Sequence, residues 1–198
     1  MILPDFVIYP AHGLYWTAFG AANLISNRGG GAAAGKVPAV AAPVTASHSK
    51  LLVALHAVAF AVMYFGIGNA VFTHRVPVWF TGQELAGLAV ILLGAVLICW
   101  ARLYFRSWRF QAKLDAGHEL ATGGPFRWVR HPIYAGLDLL ALGSALWIPS
   151  ITMWLAFVLM AIGSDLRGRA EERLLALGFG ERYRDYCRRT SRFVPGVY

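Results

Sequence analysis

Arg130 and His131 stand side by side immediately before Pro132, and the chain ahead of them turns on Gly123-Gly124-Pro125. Proline suits the first turn of a helix, where its missing N–H would be unpaired anyway. A guanidinium and an imidazole thus sit at a helix N-terminus, where outward-pointing N–H groups favour a carboxylate or another anion. Glycine in the preceding turn permits close backbone approach to a ligand. Further on, Arg167 and Glu171 are spaced i and i+4 and share a helix face, and Glu172 follows Glu171 directly. Two adjacent carboxylates in a basic field are placed to hold a cationic or polyhydroxylated ligand.

Each group also has a plain structural reading. Arginines at inner helix ends commonly fix membrane topology, and neighbouring glutamates commonly pair with surface arginines for a few tenths of a kcal/mol. His56, inside an apolar block, reads as a packed and hydrogen-bonded residue. His12 and His74 read as interfacial. Asp138 must face protein or water, because a lipid-facing carboxylate is costly. Tyr183 and Tyr186 lie one turn apart and are expected to pack back onto the bilayer surface. No histidines and carboxylates have metal-ligand spacing, and Cys99 and Cys187 form no disulfide framework.

The elements that position these residues follow from composition. The 198 residues are 58% hydrophobic and only 14% charged, where a soluble domain carries about a quarter charged residues. Lipid is therefore the main solvent. The net charge of +8 does not point to nucleic acid, because the basic residues flank apolar blocks instead of forming one face. Phe6–Ile25, Leu51–Phe72 and Leu85–Tyr104 each meet the ~20 residues that a crossing requires. The first basic residue is Arg28, so the first block reads as a retained span and not a cleaved leader.

Ile133 to Gly163 is interrupted at Pro149-Ser150 and reads as a tight helical hairpin with halves of about 15 residues, roughly 23 Å each. A single tilted span is the alternative. Five crossings leave every lysine and arginine except Arg75 on the inner side. The expected fold is all-α, with five transmembrane helices and a basic cytoplasmic C-terminal helix. Residues 1–105 form the N-terminal spans with a glycine- and alanine-rich flexible linker over 27–50, and 106–198 form the catalytic region. The N-terminus lies outside and the C-terminus in the cytoplasm.

The order of these features resembles a known family. Thr122-Gly-Gly-Pro125-Phe-Arg-Trp-Val-Arg130-His131-Pro132-Ile-Tyr134-Ala-Gly136, then Glu171-Glu172, Phe179-Gly180, Tyr183, Tyr186 and Arg192-Phe193-Val-Pro195, is similar to the isoprenylcysteine carboxyl methyltransferase and phospholipid methyltransferase group. The resemblance covers about residues 108–195. It implies an integral membrane methyltransferase that takes the methyl group of S-adenosylmethionine without a Rossmann fold, and the chain has no Gly-x-Gly-x-x-Gly after a strand. Carried over, it implies a cofactor site of Gln111, His118, Gly124, Arg130, His131, Pro132, Tyr134, Gly136, Glu171 and Glu172. Arg130 and His131 would engage the cofactor's amino-acid end and one glutamate its ribose or ammonium. Arg167, with Glu171, would serve the transfer itself by holding a lipophilic acceptor that enters from the membrane lipid. The compact chain suggests a prokaryotic member in a bacterial inner membrane, with no motif that specifies the acceptor.

Two other readings compete. Sterol reductases, which use NADPH, share an Arg-His-x-x-Tyr-x-Gly stretch and a Pro-x-x-Tyr terminus that Pro195-Gly-Val-Tyr198 echoes. A non-catalytic membrane sensor with the same fold is the third, since fold alone does not guarantee activity.

Overall fold

The computed structural model describes residues 4–28, 44–45, 49–73, 82–105, 113–114 and 120–198. Most of the linker expected over 27–50 lies outside them, as do Gln111, His118, His74 and Arg75. Among the described residues, six α-helices run in the order α1 (Pro4–Arg28), α2 (Ser49–Phe72), α3 (Gly82–Tyr104), α4 (Pro132–Trp147), α5 (Ile151–Phe179) and α6 (Glu181–Arg189). Two residues, Val44–Thr45, pair antiparallel with Lys113–Leu114. This small ribbon pairs two residues between α1 and α2 with two residues between α3 and α4.

Helices α2, α3 and α5 are long and apolar enough to cross a membrane. Large apolar side chains such as Phe65, Leu93, Val96, Leu155 and Val158 point outward, which water would penalise and lipid does not. Helix α1 has 25 residues and continues through Pro10. It is less uniformly apolar, carrying His12, Asn23, Ser26 and Asn27. Helix α4 has 16 residues, about 24 Å at 1.5 Å per residue.

Glycines set the closest helix contact. A Cβ on Gly87 would lie 2.7 Å from the Gly143 carbonyl oxygen, and one on Gly94 would lie 2.8 Å from that of Gly136. The α3 and α4 backbones therefore meet directly at two levels, with Ile91, Ile98 and Leu140 buried around them. Helix α2 packs on α5, with Met63, Ile67, Met153 and Met160 buried between the helices of the bundle. At one end of α3, the buried Arg102 donates to Asn23 Oδ1, Ser26 Oγ and Asn27 Oδ1 of α1 and to the Phe105 carbonyl. An arginine expected only as a topology marker thus joins two helices.

The break at Pro149 is where the sequence placed it, but the two halves are unequal. Ser150 caps α5 by accepting from the Met153 N–H at 3.3 Å. From there α5 runs 29 residues to Phe179, well past Gly163, because Asp165, Arg167 and Arg169 end the apolar run without disfavouring helix. Glu171 and Glu172 consequently ride on the same rigid helix as the preceding apolar segment. Gly180, with φ of 54°, ends α5 and turns the chain into α6.

Candidate active site

The Arg130-His131-Pro132 segment is held against α5 by the chain that follows α6. Arg130 N donates to the Ser191 carbonyl at 2.8 Å, and His131 N donates to the Arg192 carbonyl at 3.1 Å. Tyr186 adds a hydrogen bond from its hydroxyl to the Phe126 carbonyl at 2.5 Å. Tyr183 and Tyr186 are buried against Leu120, Leu175 and Phe179. They fasten protein to protein, a correction to the expectation that they lie on the bilayer. Gly168 leaves room on α5 for this arrangement, since a Cβ there would meet Phe193 at 3.3 Å and His131 at 3.4 Å.

Glu172 is the centre of the resulting cluster. Its Oε1 accepts from Arg130 Nε at 2.9 Å and from Arg192 Nε at 3.0 Å, and lies 3.2 Å from His131 Nε2. Its Oε2 accepts from Arg192 Nη2 at 2.7 Å. The side chain keeps 14% of its exposure, so the pairing is partly desolvated and stronger than a surface pair. Glu171 takes the other side of the imidazole, with Oε2 3.6 Å from His131 Nδ1, and accepts a hydrogen bond from the Tyr134 hydroxyl. The Arg167 guanidinium, 5% exposed, sits 4.8 Å from the centre of the Tyr134 ring, within cation–π range. Burial opposes charge on His131, but the Glu171 and Glu172 carboxylates outweigh it and raise its pKa.

The structure thus brings together Arg130, His131, Tyr134, Arg167, Glu171 and Glu172, six of the residues singled out in the sequence. The carboxylate that faces Arg130 and His131 is the chain's own Glu172, where the sequence left an anion site open. Pro132 begins α4. Gly124, at φ 56°, packs on Tyr104, whose ring a Cβ would meet at 2.7 Å. Gly136 is buried in the α3–α4 contact, where a Cβ would lie 2.9 Å from Ile98 Cβ and 3.0 Å from the Gly94 oxygen. Its place is explained by helix packing and not by contact with the cluster. Arg192, Asp165 and Tyr198 were not singled out. Arg192 Nη1 donates to Asp165 Oδ1 at 3.0 Å and Tyr198 donates to the same oxygen at 2.9 Å. The closing Arg192-Phe-Val-Pro run and the Pro195-Gly-Val-Tyr198 terminus were signals for Arg192 and Tyr198, and Asp165 had none.

A cavity of about 590 Å³ is lined by Trp128, Thr190, Ser191 and others, including Arg130 and Arg192, the two arginines that hold Glu172. Among the described residues, no three His, Cys, Asp or Glu side chains are grouped to hold a metal.

The sequence pattern of the phospholipid methyltransferase family matches residues 83–182, just over half the chain and the whole of the α3–α5 frame. The chain belongs to the phospholipid methyltransferase family. Relatives include protein-S-isoprenylcysteine O-methyltransferase of Tribolium castaneum, 32% identical over 122 residues that cover 56% of this chain and 41% of that protein. Another is methanethiol S-methyltransferase of Mycobacterium tuberculosis, 29% identical over 130 residues covering 61% of this chain and 49% of that one. The chain therefore spans less than half the length of these relatives. In fold it is similar to the eukaryotic intramembrane Ras methyltransferase isoprenylcysteine carboxyl methyltransferase, with a TM-score of 0.66 at 20% identity over the whole of this chain and 69% of that one. Membership of this family and that intramembrane fold agree with the outward-facing apolar surface, and the protein is a helical membrane protein.

Proposed function

We propose that this protein transfers a methyl group from S-adenosylmethionine to a lipophilic acceptor at the Arg130–Glu172 cluster. The observation that carries the reading is the convergence of two distant motifs on one carboxylate pair, whose arginine partners Arg130 and Arg192 also line a cavity of cofactor size. Cavities of a few hundred Å³ suit ligands of this class. The donor set fits a ligand that is itself zwitterionic: Arg130 and Arg192 suit a carboxylate, while Glu171 and Glu172 suit an ammonium and ribose hydroxyls. When bound, the cofactor supplies a methyl group already activated on a sulfonium.

The chain's residues have the remaining work of binding, aligning and excluding water. Arg130, His131 and Arg192 hold Glu172 in place. Tyr134 orients Glu171, and its ring positions Arg167 at the edge of the apolar region, where that guanidinium can hold an acceptor. Gln111 and His118 are proposed to complete the cofactor site on the strength of the resemblance. Both α4 and α5 are taken to cross the membrane, with α1 to α3 giving five spans, an outer N-terminus and a cytoplasmic C-terminus. The acceptor then enters from lipid and the cofactor from the cytosol. The methyltransferase relatives favour this reading over hydride transfer from NADPH.

Tritiated S-adenosylmethionine, incubated with the purified protein and a membrane lipid extract or farnesylcysteine analogues, tests the reaction. Labelled organic-phase product is expected from the wild type and not from Arg167→Ala. Product from neither, with any acceptor, contradicts catalysis.

A further inference from the structure

Helix α6 buries Tyr183 and Tyr186 and ends on two exposed arginines, Arg188 and Arg189. Cations suit the negative end of a helix, which accounts for their presence there but not for what they face. Both line the 590 Å³ cavity, whose lining holds four arginines, Arg130, Arg188, Arg189 and Arg192, and no aspartate or glutamate among the described residues. Arg130 and Arg192 are neutralised by Glu172. Arg188 pairs with Asp185 on its own helix, with its side chain still 67% exposed, and such a surface pair is weak. Arg189 Nε donates to the Asp185 carbonyl at 3.3 Å, and among the described residues no carboxylate pairs with it. S-adenosylmethionine carries one carboxylate against an ammonium and a sulfonium, so the cofactor supplies no counter-charge for Arg188 and Arg189.

The same cavity has an apolar rim. Trp128 is 56% exposed and Val197 80% exposed, and both line it. Trp128 stands four residues before Pro132, the first residue of α4, and the Arg127 guanidinium lies 5.2 Å from its ring centre. An exposed indole among arginines where a helix enters the apolar bundle is the composition of a membrane–water interface. Tryptophan favours headgroup depth there, and basic side chains meet the negative surface of the inner leaflet.

We infer that this cavity binds the headgroup of an anionic membrane phospholipid, with Arg188 and Arg189 on its phosphate and Trp128 against the glycerol and the upper acyl chain. The guanidinium fork matches two phosphate oxygens. The positive-inside rule asks only that arginines lie on the inner side; it does not gather four around one cavity with an exposed indole and no acid. Trp128 and Val197 favour a lipid over a free phosphate ion, which would leave both uncovered. A zwitterionic headgroup would bring its own cation into a lining without a carboxylate, whereas the glycerol of phosphatidylglycerol brings only hydroxyls. The lipid is a ligand here and not the methyl acceptor, and the inference needs no transfer step.

The test titrates the detergent-solubilised full chain with dihexanoyl phosphatidylglycerol or dihexanoyl phosphatidylcholine, each below its micelle-forming concentration. Phosphatidylglycerol offers no amine or carboxylate to methylate. The readout is the melting temperature, which a ligand of the folded state raises by mass action. Wild type should respond to the anionic lipid at a concentration at least tenfold lower than to the zwitterionic one. The double variant Arg188→Gln, Arg189→Gln should melt as wild type does without lipid and show less than a twofold preference. Trp128→Ala should weaken the response to both lipids and keep the preference. Inorganic phosphate at the same concentrations should leave the melting temperature unchanged. No preference in wild type, an undiminished preference in the double variant, or a shift with phosphate as large as that with lipid would overturn the inference. So would a tenfold loss of S-adenosylmethionine affinity in the double variant with its lipid preference intact, which would assign the two arginines to the cofactor. Failure of wild type to bind S-adenosylmethionine, with the lipid preference present, would overturn the methyltransferase reading and support this one.

Discussion

Arg192 grips Glu172 with two nitrogens, Nε at 3.0 Å and Nη2 at 2.7 Å, while its third reaches Asp165 at 3.0 Å. The residue comes from the segment after α6 and the two carboxylates from α5, so this one side chain ties the chain's end to the membrane helix. Because the same segment also pairs with Arg130 and His131 through its carbonyls, the cluster is assembled only when both connections are made.

Glu172→Gln should therefore cost more than one hydrogen bond. Arg130, His131 and Arg192 would keep their charges and lose the anion between them, and breaking such a pair costs roughly 3 kcal/mol. Thermal unfolding in detergent should show a clear fall in melting temperature. A change no larger than that of a surface substitution would mean that water already satisfies these cations.

Tyr134→Phe separates two roles of one ring. The substitution removes the hydroxyl that donates to Glu171 and keeps the surface beneath Arg167. Stability should fall by about 2 kcal/mol, the range for a hydrogen bond to a charged group. Tyr134→Ala should cost more, since it also opens a cavity and loses the cation–π contact. Equal effects in denaturation curves would indicate that the ring contributes nothing of its own.

His131 gives the site a pH dependence of definite sign. Its folded pKa is raised above the ordinary 6.5, so protonation stabilises the folded state. That stabilisation is full below about 6.5 and is lost as pH rises through the raised value. The melting-temperature advantage of wild type over His131→Gln should shrink across that window. An advantage that grows with pH would contradict the imidazolium pairing.

Gly143→Ala tests the α3–α4 contact. Its Cβ would lie 2.6 Å from the Gly87 carbonyl oxygen and 2.9 Å from the Ile91 nitrogen, backbone atoms that cannot swing aside. Overpacking of this kind costs about 1–3 kcal/mol. Gly13→Ala, where a Cβ meets nothing within 4 Å, is the control and should melt as wild type does.

The parts of this fold legible in the sequence were those with a local signature. Apolar blocks marked α2 and α3, Pro149-Ser150 marked the break between α4 and α5, and the Arg-His-Pro and Glu-Glu motifs marked the two halves of the cluster. The unreadable parts depended on tertiary partners. Nothing in the spacing of Gly94 and Gly136 shows that they face each other, so Gly136 was carried over as a cofactor contact when packing accounts for it. Arg102 had no acidic neighbour in the sequence to suggest a buried role, and its partners on α1, Asn23, Ser26 and Asn27, are neutral side-chain oxygens. The continuation of α5 to Phe179 was hidden by charges that change a helix's solvent without ending it. His56 of α2, Ser164 of α5 and Asp138 of α4 meet through the Ser164 hydroxyl, and each one alone is an ordinary polar residue in an apolar run.

The central claim is that the carboxylate pair and its arginines bind S-adenosylmethionine. Isothermal titration of the detergent-solubilised protein tests this with wild type, Glu171→Gln and Arg130→Ala. Saturable one-to-one binding is expected from wild type, weakened at least tenfold in both variants. No binding by folded wild type, or the same affinity in all three proteins, would contradict it.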